Sequence, residues 1–142
     1  MANSYFRTWK AYQLSYGLSQ SIFRMTRTFP PEEKFKLADQ IIRSSRSVYA
    51  NLAECYGRRN YLKHYQSKLA DCVAENFETQ AWLDTAKDLN YINTKQHNAM
   101  ATRAEEVGRL LTYMQRNPSR FTPLNMNKRT NRRQASPKAL MY

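Results

Sequence analysis

The sequence predicts an all-α protein: an up-down antiparallel four-helix bundle followed by a basic C-terminal tail, expected to be disordered when free. Three observations lead there. Apolar residues recur at threes and fours through four successive segments of roughly 22 to 26 residues each. Short connections join the segments, as they do between antiparallel neighbours in a bundle. Only three glycines and five prolines occur among 142 residues. That is too few for a turn-rich β protein or for a Gly-rich phosphate loop.

The first segment, between Tyr5 and Thr28, puts Ala11, Leu14, Leu18, Ile22 and Met25 on one helical face. Phe29-Pro30-Pro31 ends it, because the residue before a proline is pushed out of the α region. Proline is tolerated in a first turn, and Glu32 and Glu33 suit the positive end of a new helix. This second helix carries Leu37, Ile41, Ser45, Val48, Leu52 and Cys55 inward, with Gly57 as its expected left-handed stop. Asn60 is expected to cap a third helix whose inner face is Leu62, Tyr65, Leu69, Val73, Asn76, Gln80 and Leu83. Asn93 or Thr94 caps a fourth, with Met100, Val107, Leu110, Leu111 and Met114 inward, and Asn117-Pro118 closes it. Asn51, Asn76 and Gln80 are polar groups on inward faces and must hydrogen-bond across helices if buried. Residues 1–117 are thus read as the bundle and 118–142 as the tail.

Charge narrows the function. Lys and Arg number 23 against 11 acids, a net charge of +12. The tail holds six basic residues (Arg120, Lys128, Arg129, Arg132, Arg133 and Lys138) and no acid, half of that net charge. Such an imbalance points to an anionic partner, nucleic acid first and an acidic membrane surface second. No run of 18 apolar residues exists to span a membrane, and Met1–Arg7 lacks the apolar stretch of a signal peptide. Cys55 and Cys72 stand in no metal-pair spacing, so free thiols and a cytoplasmic protein are expected.

Catalytic chemistry is hard to assemble from these residues. His64 and His97 lie on different helices, and neither has an acid three or four residues away, the spacing of bundle metal sites. Cys72 lies eight residues from His64, two turns off. Asp71, Glu75 and Glu78 form an acidic strip on the third helix with no second strip to complete a cation site. A non-enzyme without metal or cofactor is expected.

Two stretches are distinctive. Residues 40–54, Gln-Ile-Ile-Arg-Ser-Ser-Arg-Ser-Val-Tyr-Ala-Asn-Leu-Ala-Glu, resemble the second-helix signature of the bacterial four-helix-bundle proteins first recognised in 23S rRNA intervening sequences. Ser67-Lys68-Leu69-Ala70-Asp71 and Ala74-Glu75-Asn76-Phe77-Glu78-Thr79-Gln80-Ala81-Trp82-Leu83 resemble its third helix. Phe29-Pro30, the run Glu105 to Leu111 and Asn117-Pro118 fall at that family's usual places. Ile42 departs from it where a second arginine is common, and Cys55-Tyr56-Gly57 occupies a variable corner. The resemblance covers residues 6 to about 121. It implies an up-down bundle that assembles as a homopentamer. The chain is similar also to the accessory variability determinant of diversity-generating retroelements. That likeness implies a basic pentamer binding nucleic acid and the element's reverse transcriptase. For the intervening-sequence branch it implies a fold and leaves the role undefined.

The residues themselves are compatible with this. Trp82 projects off the inward stripe of the third helix, beside Asp71, Glu75 and Glu78, and an indole on a charged face suits an interface anchor. Trp82, Glu75 and Glu78 are therefore the expected oligomer contact, met head-to-tail by a basic face of the next copy. For nucleic acid, the corner between the second and third helices offers Arg58, Arg59, Lys63 and His64, with Tyr61 for stacking. Arg43 and Arg46 lie further down the second helix, and Lys128, Arg129, Arg132 and Arg133 extend from the tail. These groups neutralise phosphates without reading sequence. The expected function is a non-catalytic, charge-led RNA- or DNA-binding accessory protein acting with a reverse transcriptase. A 23S rRNA intervening-sequence protein of undefined role and a protein-binding scaffold are the alternatives.

Overall fold

A computed structural model describes residues 5–123. Four helices account for most of them: α1 (Lys10–Thr26), α2 (Leu37–Gly57), α3 (Leu62–Asp88) and α4 (Thr94–Arg116). Short 3-10 turns, Tyr5–Thr8, Pro31–Glu33 and Pro118–Arg120, precede, join or follow them. Among the described residues there is no strand, and no helix is long and apolar enough to cross a membrane. The all-α up-down bundle is the observed fold.

Each helix buries one seam spaced at threes and fours: Ala11, Ser15, Leu18, Ile22 and Met25 on α1; Ile41, Ser45, Val48, Leu52 and Cys55 on α2. On α3 the seam is Tyr65, Leu69, Cys72, Asn76, Thr79, Leu83 and Ala86; on α4 it is Ala104, Val107, Leu111 and Met114. The α3 seam coincides with the expected one at Tyr65, Leu69, Asn76 and Leu83 and differs at two positions. Cys72 and Thr79 are buried, whereas Val73 and Gln80 are only half-buried. Both positions are small enough to let α2 approach, and Thr79 satisfies its hydroxyl there.

The apolar core comes in two blocks. One unites the start of α1, the end of α2, the start of α3 and the end of α4, around Leu52, Tyr65, Leu69 and Leu111. The other unites the opposite ends, around Ile22, Phe29, Ile41 and Leu83. Fully burying such side chains contributes about 1.5–3 kcal/mol each. Between the blocks lies a polar waist. The Asn76 amide donates to the Ala104 carbonyl of α4 at 2.9 Å, and the Thr79 hydroxyl donates to Ser44 Oγ of α2 at 2.9 Å. Ser19 of α1 meets Ser45 of α2 at 3.3 Å. A Cβ added at Gly108 would stand 3.3 Å from Asn76 Nδ2, so the absence of a side chain there lets α4 come close. Of the three inward polar residues, Asn76 makes the cross-helix bond; Asn51 and Gln80 are half-buried.

Several helix ends differ from expectation. Pro31–Glu33 does not open α2. It forms its own tight turn, and Lys36 (φ −120°, ψ −104°) breaks the helical path before Leu37. Phe29, Leu37 and Ala38 all enter the same core block, and the break lets the chain fold all three inward. Gly57 is not left-handed, and α2 ends through Arg58, whose N–H bonds to the Glu54 and Cys55 carbonyls. Tyr61 rather than Asn60 precedes α3, without a side-chain cap. The left-handed residue is Asn90 (φ 61°), where Tyr91 N–H reaches the Ala86 carbonyl and Asn90 N–H the Lys87 carbonyl, a Schellman ending. Asn93 caps α4 as expected, in a reciprocal box with Gln96. The chain does not leave the bundle at Asn117: Phe121 is buried edge-on against Trp9 and Tyr113.

The waist predicts the cost of its own disruption. Asn76→Asp replaces the donor with a carboxylate facing the Ala104 carbonyl, so two acceptors meet in a buried site. Urea unfolding at neutral pH is expected to show a loss of about 3 kcal/mol or more, and Asn93→Ala about 1 kcal/mol. Equal, small losses from both would mean that the Asn76 bond does not hold α3 to α4.

Candidate nucleic-acid interface

Up-down topology brings the start of α1, the end of α2, the start of α3 and the end of α4 to one pole of the bundle. The aromatic contacts there tie the elements together: Phe6 and Trp9 lie against Tyr56, and Trp9 lies against Phe121. On this frame stand Arg7, Lys10, Arg58, Arg59, Lys63, Lys68, Arg116 and Arg120, with Glu54 and Asp71 as the acids that pair there. Both pair with Lys68, Glu54 at 3.2 Å and Asp71 at 3.7 Å. Among the described residues none of the other seven is ion-paired with a carboxylate. The opposite pole is mixed: Arg24, Arg27, Lys34, Lys36, Lys87 and Lys95 stand among Glu32, Glu33, Asp39, Asp84 and Asp88. The bundle is therefore electrically lopsided along its axis.

Local geometry holds several of these cations in place. The Arg59 guanidinium lies 3.9 Å over the Tyr56 ring and donates to the Tyr56 carbonyl at 3.0 Å. Arg58 reaches His64 Nδ1 at 3.4 Å, and Tyr61, 68% exposed, lies edge-on to His64. Glu54, Gly57, Arg58, Tyr61 and His64 line an open concavity at this corner. Arg7 lies over Phe6 and Arg120 over Tyr113. Stacking on rings leaves a guanidinium's N–H edges able to meet phosphate oxygens.

The expected binding residues separate into three groups. Arg58, Arg59 and Lys63 share the pole. Arg46 lies on the flank between α1 and α2, over the Phe23 ring at 5.3 Å. Arg43 faces the other way, 3.8 Å from Asp39 and close enough to Glu75 to favour its ionised form. Lys128, Arg129, Arg132 and Arg133 lie outside the described residues. Arg7, Lys10, Arg116 and Arg120 join the pole only through topology. Arg120 aside, sequence reading did not single them out, and knowing which helix ends meet would have found them.

On α3 the acidic strip runs along an outer face. Burial, then the neighbouring Glu78 and Asp71, raise the Glu75 carboxyl above its ordinary range. The strip's charge is thus only partly compensated within the chain. Trp82 is half-buried, packs on the second core block, and donates its indole N–H to Glu78 at 3.2 Å. Beside the strip runs an exposed row that sequence reading missed: Ala70, Ala74, Phe77 and Ala81, with Phe77 66% exposed. The signal was a second apolar spacing of threes and fours on the same helix.

The remaining candidates are structural. Cys72 is fully buried, and its hydrogen bond with Cys55 and burial hold the thiol far above its ordinary range, while His64 is exposed. His97 pairs across helices with Asp84 at 2.7 Å, a contact invisible in local spacing. Among the described residues no group of three or more His, Cys, Asp or Glu gathers to hold a metal ion.

Comparison with known proteins places the chain. Among curated proteins none matches it. A solved structure from Bacteroides thetaiotaomicron, described as a protein with unknown function from the S23 ribosomal protein family, superposes with a TM-score of 0.69. The two are 24% identical, over 75% of this chain and 95% of that one, a likeness that shows the shared fold. The profile of the 23S rRNA-intervening sequence proteins matches residues 7–113, spanning all but the end of α4. By that match the chain belongs to the 23S rRNA-intervening sequence protein family.

Proposed function

We propose that the protein is a non-catalytic, homopentameric nucleic-acid-binding accessory protein of the cytoplasm, acting with a reverse transcriptase of a diversity-generating retroelement. The observation that carries the nucleic-acid reading is the basic pole, eight cations against two carboxylates that both pair with Lys68, drawn from four helix ends. The chain continues from this pole into residues 124–142, with five further basic residues and no acid. Binding of this kind is led by phosphate contacts and counterion release, so it follows charge rather than base sequence. The pentamer draws support from the α3 face, where an exposed Phe77 among alanines lies beside partly uncompensated carboxylates. Small side chains let a neighbouring helix approach, and a basic surface of the next copy would neutralise the strip. The reverse-transcriptase partner rests on the likeness to the retroelement accessory protein.

Two measurements test this reading. Truncation after Pro123 keeps Phe121 in the core and removes five basic residues. It is expected to flatten the slope of log affinity against log salt, by about 0.7–0.9 for each phosphate no longer neutralised. Neutralising Arg58, Arg59 and Lys63 together is expected to do the same in the folded body. Unchanged slopes in both variants would remove the pole and tail as the binding surface. For assembly, light scattering at micromolar concentration is expected to give five subunits. Phe77→Ala and Trp82→Ala should lower that mass at unchanged helicity, and a monomeric unsubstituted protein would end the pentamer reading.

A further inference from the structure

One flank of the bundle, where α1 meets α2, carries a row of aromatic rings without an acid. Tyr12 and Tyr16 stand one turn apart on α1, centroids 5.9 Å apart and planes 25° from parallel. Tyr49 of α2 closes a triangle with them at 6.0 and 5.1 Å. Towards the basic pole the row continues through Phe6, 4.9 Å from Tyr12, to Tyr56 beneath Arg59. Two turns beyond Tyr16 in the other direction, the Phe23 ring lies under both Arg27 and Arg46, at 5.0 and 5.3 Å. Tyr16 is 43% exposed, although its neighbours are more covered.

The charge of this flank has one sign. From Tyr5 to Pro31 the chain has four basic residues and no acid. The acids of α2, Asp39 and Glu54, pair with Arg43 and with Lys68 of α3, and neither meets a group of the flank. From Arg46 to Arg59 the row extends about 20 Å at 1.5 Å per residue, room for several nucleotides. An open ring between arginines suits unstacked bases, whose faces are free, better than a duplex, whose faces are already stacked.

We propose that the α1–α2 flank is a stacking platform for single-stranded nucleic acid, with a base on Tyr16 and phosphates on Arg46 and Arg59. This rests on the nucleic-acid reading above and deepens it: the pole and tail supply attraction to any polyanion, and the tyrosines favour single strands.

The test is fluorescence anisotropy with the full chain, using labelled oligouridine, labelled oligothymidine and a duplex of equal length. Tyr16→Ala is expected to weaken single-strand binding on the order of tenfold, leaving duplex affinity and the salt slope unchanged. Tyr16→Trp is expected to retain or strengthen it. Equal losses on strand and duplex, or no loss on either, would overturn the platform while leaving the charge-led reading intact. A fall in light-scattering mass with Tyr16→Ala would identify the flank as a subunit contact and also overturn it. An unsubstituted protein that binds no probe would remove both readings together.

Discussion

The hydrogen bond from the Asn76 amide to the Ala104 carbonyl is the contact on which the rest of this bundle depends. Apolar side chains packed at threes and fours tolerate a slip of one helix along another, because each seam offers similar neighbours at the next turn. A buried amide does not, since losing its acceptor leaves a desolvated donor costing about 1–3 kcal/mol. Gly108 makes the approach possible, and the Thr79–Ser44 and Ser19–Ser45 contacts fix α2 to α3 and to α1 at the same height. The waist therefore sets which residues of each helix lie above and below it. By doing so it decides which side chains meet at the basic pole.

Helix stability accounts for only part of that pole. Arg58 and Arg59 follow the end of α2, and Arg116 ends α4, where backbone carbonyls favour positive charge. Lys10 and Lys63 sit in the first turns of α1 and α3, where the helix dipole opposes them. Neither α1 nor α3 has an acid in its first turn to compensate. These cations are thus placed against local helix energetics, at a pole already crowded with positive charge. A bound polyanion would relieve both the unfavourable dipole and the mutual repulsion, which gives the proposed partner a stabilising as well as a functional role.

Most of the fold was legible because α1, α2 and α4 bury strongly apolar seams. The α3 seam was read correctly at Tyr65, Leu69, Asn76 and Leu83 but misread at two positions, since Cys72 and Thr79 carry little hydrophobic contrast against Val73 and Gln80. Turn chemistry misled at Gly57, whose backbone stays outside the left-handed region, and at Asn60, because α3 begins one residue later behind Tyr61. The corner of Arg58, Arg59 and Lys63 was legible because those residues are neighbours in the chain. Arg7, Lys10 and Arg116 were not, because they come together only when four helix ends meet. Phe77 was missed for a different reason: it lay off the expected seam, and the outer face was read only for Trp82 and its acids.

The two proposed surfaces share no residue. The proposed self-association would use the outer face of α3, whereas the aromatic row lies between α1 and α2. An assembly through α3 would repeat the pole and the flank in every copy without consuming either. A single pole would make few phosphate contacts, and each would be weakened by salt. Repeated around a ring, the same contacts act at high effective concentration once the first has formed, so modest sites combine into tight binding. Charge-led recognition without base readout is weak in one copy, and repetition is the physical route by which this fold would make it strong.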